Sequence, residues 1–235
     1  MGRPPPLDAA TPMWRDAALV AGKDLRIEAR SRVVLHQVAP FAVLVLVLFA
    51  FALGPGRGPM VHAAPGLFWV AVLFATVIAV QRSYGVESTE ATRDGLRMSG
   101  LDPAGIFLGK AAALAAVLVV LEVLLGVGVV LFYGASVHSF GELAVASVAG
   151  TVGLAAVGTL YGALSSGLRA RETLLPLLLM PVAAPVLLAG TRAWQAALGT
   201  SGAGAGDPWL RLLVVFAAVY LALGVVIFGP LQEAA

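Results

Sequence analysis

The residues of this chain able to do chemistry are few. They are Glu122 inside a long apolar run, histidines at 36, 62 and 138, and a charged stretch between residues 82 and 110. An ionised carboxylate near a bilayer centre costs several kcal/mol, so a residue such as Glu122 must face a packed interior or a wet cavity. No Lys or Arg lies at a comparable depth; protonation, or a hydrogen bond from Thr76, Thr151 or Thr159, would relieve the cost. A place on a substrate path and a structural polar clamp both fit. His62 and His138 fall in connections between apolar runs, where an imidazole can ligate a metal or haem iron. Lone loop histidines are more commonly just solvated, and no metal set is expected.

Other chemistry is excluded by missing parts. The chain has no cysteine, which removes disulfides, thiolate metal sites, thiol nucleophiles and Cys-x-x-Cys-His haem attachment. It has no Gly-x-x-x-x-Gly-Lys-Ser/Thr loop, so ATP is not hydrolysed here by that route. His-Glu-x-x-His and Gly-x-Ser-x-Gly are also absent. The chain is therefore not expected to be an enzyme by itself, and energy-consuming work would come from a partner.

The elements that must position these residues are membrane helices. Hydrophobic residues make up 60% of the 235 and charged residues 12%, with a mean hydropathy of +0.94. Soluble domains carry about 25% charge, so lipid is the natural solvent. A spanning helix needs roughly 20 apolar residues. Six candidates are read at 33–53, 65–81, 106–133, 143–164, 174–190 and 209–228. The third is long enough to tilt, kink or contain two segments. The fifth carries Pro176, Pro181 and Pro185, which remove backbone hydrogen bonds and favour a bend. The expected fold is all-α: a six-span bundle over residues 33–229, preceded by a tail and interfacial helix in 1–32 and followed by a short tail in 230–235. No apolar leader region is read in the first 32 residues, so the first span is expected to target the chain.

Orientation follows from the basic residues. Twelve of the fifteen fall on one side of this plan, and only Arg57, Arg192 and Arg211 on the other. Both termini are therefore expected in the cytoplasm. Trp69, Trp194 and Trp209 then fall at the outer interface, where indole rings settle among headgroups.

Two cytoplasmic segments follow from periodicity. In 13–32, Trp14, Ala18, Ala21, Leu25 and Ala29 form an apolar stripe with Arg15, Asp16, Lys23, Arg26, Glu28 and Arg30 largely off it, the pattern of a helix lying along the membrane surface. The loop at 82–105 contains a helix-compatible stretch with Glu90 and Arg93 spaced to pair. Asp102-Pro103 then supplies an N-cap and first-turn proline for the third span. A short charged helix between spans suits the docking of a soluble partner. In the fourth span, Gly158 and Gly162 permit close helix approach, within the subunit or with a second copy, so a homodimer is compatible.

Local sequences carry a resemblance beyond this plan. Lys23-Asp-Leu-Arg-Ile-Glu-Ala-Arg-Ser-Arg32, Phe51-Ala-Leu-Gly-Pro55, Ala64-Pro-Gly-Leu-Phe-Trp-Val70, Arg82-Ser-Tyr-Gly-Val-Glu-Ser-Thr-Glu90, Asp94-Gly-Leu96 and Leu101-Asp-Pro-Ala-Gly-Ile-Phe-Leu-Gly-Lys110 resemble the CcmB family, haem exporter protein B. So do Gly153-Leu-Ala-Ala-Val-Gly-Thr-Leu160, Arg169-Ala-Arg-Glu172 and Leu174-Leu-Pro-Leu-Leu-Leu-Met-Pro181. The resemblance runs from about residue 20 to 195. It implies an ABC-2-like permease subunit in a bacterial inner membrane, serving cytochrome c maturation. Implied partners are an ATPase (CcmA-like), which would bind ATP, haem-handling membrane proteins (CcmC- and CcmD-like) and a periplasmic haem chaperone (CcmE-like). Haem is then cargo rather than a bound cofactor, lipid is the surrounding partner, and nucleic acid has no role. The loop becomes a coupling helix, with Glu87, Glu90, Arg93, Asp94, Leu96, Arg97, Met98 and Leu101 facing the ATPase. A general ABC-2 exporter of lipid or drug, and a non-transporting scaffold for haem-handling proteins, remain the rival readings.

Overall fold

The computed structural model describes residues 12–32, 34–52, 57–86, 100–166, 171–202 and 204–234, and among these there is no strand. Helix α1 spans Met13–Ser31. A single π-helical turn, Val34–Val38, leads into α2, Ala39–Ala52. Then follow α3 (Arg57–Val86), α4 (Pro103–Tyr133), α5 (Phe140–Ser166), α6 (Arg171–Ala197) and α7 (Asp207–Ala234). Helices are the open-ended solution for an apolar chain in lipid, because every backbone N–H and C=O must be satisfied within its own segment.

Helices α3 to α7 are each long and apolar enough to cross a bilayer. The bent pair Met13–Ser31 and His36–Ala52, whose axes differ by 44°, passes the same test jointly, for five to six spans. The bend is placed by Arg32, which adopts a left-handed backbone (φ 49°) while its N–H closes α1 on the Glu28 carbonyl. Asp102 caps α4 as its residue type predicts: its carboxylate accepts from the Ala104 N–H at 2.9 Å, with Pro103 in the first turn.

The helices outrun the apolar windows that announce them. α3 begins at Arg57 rather than near residue 65, and α6 continues through Thr191 to Ala197. α4 is one unbroken helix, and α6 runs through its three prolines without interruption. Two tryptophans lie within these longer helices. Trp69 lies twelve residues into α3, roughly 18 Å along its axis, and is fully buried; Trp194 is 3% exposed. Both side chains are packed inside the bundle rather than turned outward from it. Trp209, in the first turn of α7, is half-buried.

The bundle is organised around α3 and α5, whose most apolar stretches are 67% buried against 22% for α7. Gly158 and Gly162 are where these two meet. A Cβ on Gly158 would lie 2.9 Å from Val80, and one on Gly162 2.4 Å from the Tyr84 ring, so this Gly-x-x-x-Gly pair works within the subunit. The Tyr133 hydroxyl donates to the Leu46 carbonyl at 2.8 Å and ties the far end of α4 to α2. A second apolar cluster of Val20, Ile106, Phe107, Leu160 and Phe228 joins α1, α4, α5 and α7 at the opposite end. There Gly229 approaches Pro103, so the end of α7 and helix α1 share one face of the bundle. Arg15, Lys23, Arg26, Arg30 and Arg32 lie on α1 or cap it, and Arg82 of α3 and Lys110 of α4 reach its carboxylates Glu28 and Asp24.

Candidate functional site

The best-built polar feature is the seam between α1 and the first two turns of α4. It starts from spacing: Asp16, Val20, Asp24 and Glu28 recur every four residues and so share one face of α1. Opposite them, Gly105 and Gly109 leave no side chain in the way. A Cβ on Gly109 would sit 2.6 Å from the Ala17 carbonyl oxygen and 2.7 Å from the Val20 Cβ; one on Gly105 would sit 2.9 Å from the Asp16 Cβ. The backbones are therefore as close as glycine alone allows.

Charged groups close the seam. The Asp16 carboxylate, fully buried, accepts from the Asp102 backbone N–H at 3.0 Å. Lys110, 4% exposed, donates to Asp24 at 3.4 Å and places its ammonium 5.0 Å from the centre of the Tyr84 ring. Asp24 also pairs with Lys23 at 3.1 Å. Glu28 reaches Arg82 on α3 at 3.5 Å, and the Tyr84 hydroxyl donates to the Thr159 carbonyl at 2.8 Å. A buried ion pair is weak evidence for stability, but removing one member is costly. The seam thus fixes α1 to α4 in one register.

Sequence periodicity missed this. It assigned Asp16 to a solvated face, whereas Asp16 and Val20 are the buried residues of α1. The apolar stripe points away instead, with Trp14 71% exposed. The available signal was the four-residue recurrence on α1 read together with Gly105-x-x-x-Gly109.

Glu122 lies in α4, twelve residues beyond Lys110, and is 5% exposed. Of the three candidate partners, Thr151 on α5 is the one whose hydroxyl reaches the Glu122 carboxyl oxygen, and its single proton is shared between that oxygen and the Ser147 carbonyl. The Thr76 hydroxyl donates to the Val72 carbonyl in its own helix, and the Thr159 backbone carbonyl accepts from the Tyr84 hydroxyl. Glu122 lines a groove of about 520 Å³ between α4 and α5, with Val123, Val127, Phe140, Ser147 and Trp194 among its other walls. Exposed Val119, Val123, Val127 and Val148 rim it.

His62 and His138 are exposed at the bundle end opposite α1. Both flank the last turn of α6: the His62 carbonyl accepts from Gln195, and the His138 backbone N–H donates to the Ala197 carbonyl at 2.9 Å. Of the expected ATPase-facing residues, Glu87, Glu90, Arg93, Asp94, Leu96, Arg97 and Met98 lie outside the described residues. Leu101 is described; it is half-buried against the Val20–Phe107 cluster rather than fully outward.

Fold and seam define a multi-pass helical membrane protein whose N-terminal helix is locked to the helix that leaves its main charged loop. The chain belongs to the CcmB family: the CcmB protein family matches residues 16–230, through the last helix. Among curated proteins it is 30% identical over 205 residues to the Heme exporter protein B of Paracoccus denitrificans, covering 85% of this chain and 89% of the relative. It is 27% identical to the Heme exporter protein B of Pseudomonas aeruginosa over 200 residues (85% and 90%). To that of Haemophilus influenzae it is 26% identical over 213 residues (91% and 93%).

Proposed function

We propose that this chain is the membrane subunit of an ABC-type haem-export complex of cytochrome c maturation. It couples ATP hydrolysis by a CcmA-like ATPase to haem export, to release of the haem-loaded CcmE-like chaperone, or to both, alongside CcmC- and CcmD-like proteins. The reading rests above all on family membership across the whole bundle, with relatives named for haem export. The complex sits in the bacterial inner membrane with both termini in the cytoplasm, a placement supported by the basic residues gathered at the α1 end.

The seam supports a mechanical role. Force applied by the ATPase to residues 87–99 enters α4 through Leu101 and Asp102. α4 is a continuous rod of 31 residues, roughly 46 Å long, and α1 must move with its first turns. Displacement therefore arrives at Glu122 and the α4–α5 groove, and at the opposite end where His62 and His138 flank α6. Deleting the gene is expected to abolish c-type cytochromes while b-type cytochromes persist, read by haem staining and reduced-minus-oxidised spectra. Lipid or drug sensitivity with normal c-type cytochromes would instead favour a general exporter. Purification in mild detergent should recover an ATPase with haem-handling proteins; failure to recover any ATPase would favour a scaffold.

Glu122 is the polar point on the substrate path in this proposal. Glu122→Gln is nearly isosteric and still accepts from Thr151, so protein level should hold while c-type cytochrome yield falls about tenfold, the effect of about 1.4 kcal/mol at one step. Wild-type yield from Glu122→Gln would reduce the residue to a structural clamp.

A further inference from the structure

A cavity of about 180 Å³ lies beside the seam, between α1, α3 and α4. Its polar end is lined by Lys23, Arg82 and Lys110 with Asp24 and Glu28, and its apolar end by Val80, Ala113, Leu114 and Val117. Three cations face two carboxylates, so the described lining carries one formal positive charge. The Arg82 Nε is buried and makes no hydrogen bond among the described residues; its nearest carboxylate, Glu28, is 3.5 Å away. Lys110 sits in the second turn of α4, while Val117 lies seven residues deeper, roughly 10 Å further along the helix. The cavity thus changes from cationic to apolar along the direction in which a bilayer changes from headgroup to acyl chain.

We propose that this cavity binds the headgroup of an anionic phospholipid, its phosphate among Lys23, Arg82 and Lys110 and its acyl chains running past Leu114 and Val117 into the bilayer. Size separates this ligand from a porphyrin: pockets that enclose drug-sized molecules run about 300–1,000 Å³, whereas a lipid needs only its headgroup housed. Basic pockets between membrane helices recognise acidic lipid headgroups by this chemistry. Asp24 and Glu28 hold the cations in place and leave the site selective for one negative charge. Because the site bridges α1, α3 and α4, an occupied cavity stiffens the seam.

Native mass spectrometry of the full-length protein, released from nanodiscs of equimolar phosphatidylglycerol and phosphatidylcholine, tests the site without reference to haem. Phosphatidylglycerol should be retained preferentially. The preference should fall about fivefold in Lys23→Gln and in Arg82→Gln, the factor corresponding to about 1 kcal/mol per basic group at an anionic surface. Arg30→Gln, on an exposed part of α1 outside the cavity, should leave it unchanged. Lys23 has a 40% exposed side chain, so its variant gives a reading even if Arg82→Gln fails to fold. Equal retention of both lipids overturns the proposal, as does a preference that survives Lys23→Gln. Displacement of the lipid by inorganic phosphate would identify a free-oxyanion site, and displacement by protoporphyrin a cargo site; either result also overturns it.

Discussion

Gly109→Val should detach α1 from the bundle. The new Cβ would meet the Ala17 carbonyl oxygen at 2.6 Å, the Val20 Cβ at 2.7 Å and the Ala21 nitrogen at 3.1 Å. Two of these are backbone atoms, which cannot rotate aside, so α1 must shift as a body. The Asp24–Lys110 contact is already 3.4 Å long, at the limit of a useful hydrogen bond, and does not survive an added ångström. Overpacking costs about 1–3 kcal/mol and each lost hydrogen bond about 1 kcal/mol, enough to populate an undocked α1. Since the chain has no cysteine, spin labels at Ala29→Cys and Ala112→Cys, both exposed positions, report the α1–α4 separation without background. Gly109→Val should lengthen and broaden that distance and lower c-type cytochrome yield at least tenfold. Gly141→Val, where nothing lies within 4 Å of the new Cβ, should do neither. An unchanged distance in Gly109→Val would show that the seam is not what holds α1.

The seam also marks the limit of reading this chain from its sequence. Hydropathy located α3 to α7 because lipid imposes a composition on whole segments; the stretch read as the first span, 33–53, holds the π-helical turn and the 14-residue α2, which qualify as a span jointly with α1. The Asp102-Pro103 cap was legible because it is local chemistry with one common structural use, whereas Gly158 and Gly162 announced a close helix approach but not that its partner is α3 of the same subunit. Helix ends were less so. Hydropathy stops where lipid stops, but the backbone keeps hydrogen bonding into water, so α3 starts at Arg57 and α6 runs to Ala197, where Gly199 in a left-handed conformation (φ 71°) follows. Within those longer helices Trp69 and Trp194 are buried against neighbouring helices, which hydropathy does not report. Asp16 was misread for a different reason: amphipathicity sorts by polarity, and a carboxylate that accepts a backbone N–H from another helix looks like any surface charge until that helix is placed. Family membership was legible over most of the chain and extends through α7, whose own residues are only generically apolar.

Trp69→Ala carries the other large expected effect. The indole is wedged between Gly150 and Gly190, where an added Cβ would fall 2.2 and 2.4 Å from its ring atoms. It meets Phe68 edge-on at 5.5 Å, and Phe68 stacks on Trp194 at 3.8 Å. Trp194 in turn donates to Ser147 at 3.1 Å on the wall of the Glu122 groove. Three helices are thus held by one side chain. In water, Trp→Ala costs about 3–5 kcal/mol. In a bilayer the transfer part of that cost shrinks, because lipid tails are as apolar as the core. The lost contacts remain, so about 2–3 kcal/mol is expected in detergent-induced unfolding followed by circular dichroism. Two companions fix the cause. The Trp69 Nε1 is buried with no hydrogen-bond partner among the described residues, so Trp69→Phe, which keeps an aromatic ring, should cost less than Trp69→Ala; equal costs would mean that the outer edge of the indole against Gly150 carries the whole wedge. Gly190→Val should destabilise the wild type yet be tolerated beside Trp69→Ala, a coupling measurable by a double-mutant cycle. Additive costs would place Gly190 and Trp69 in separate contacts and remove the wedge as the element that ties α3 to α5 and α6.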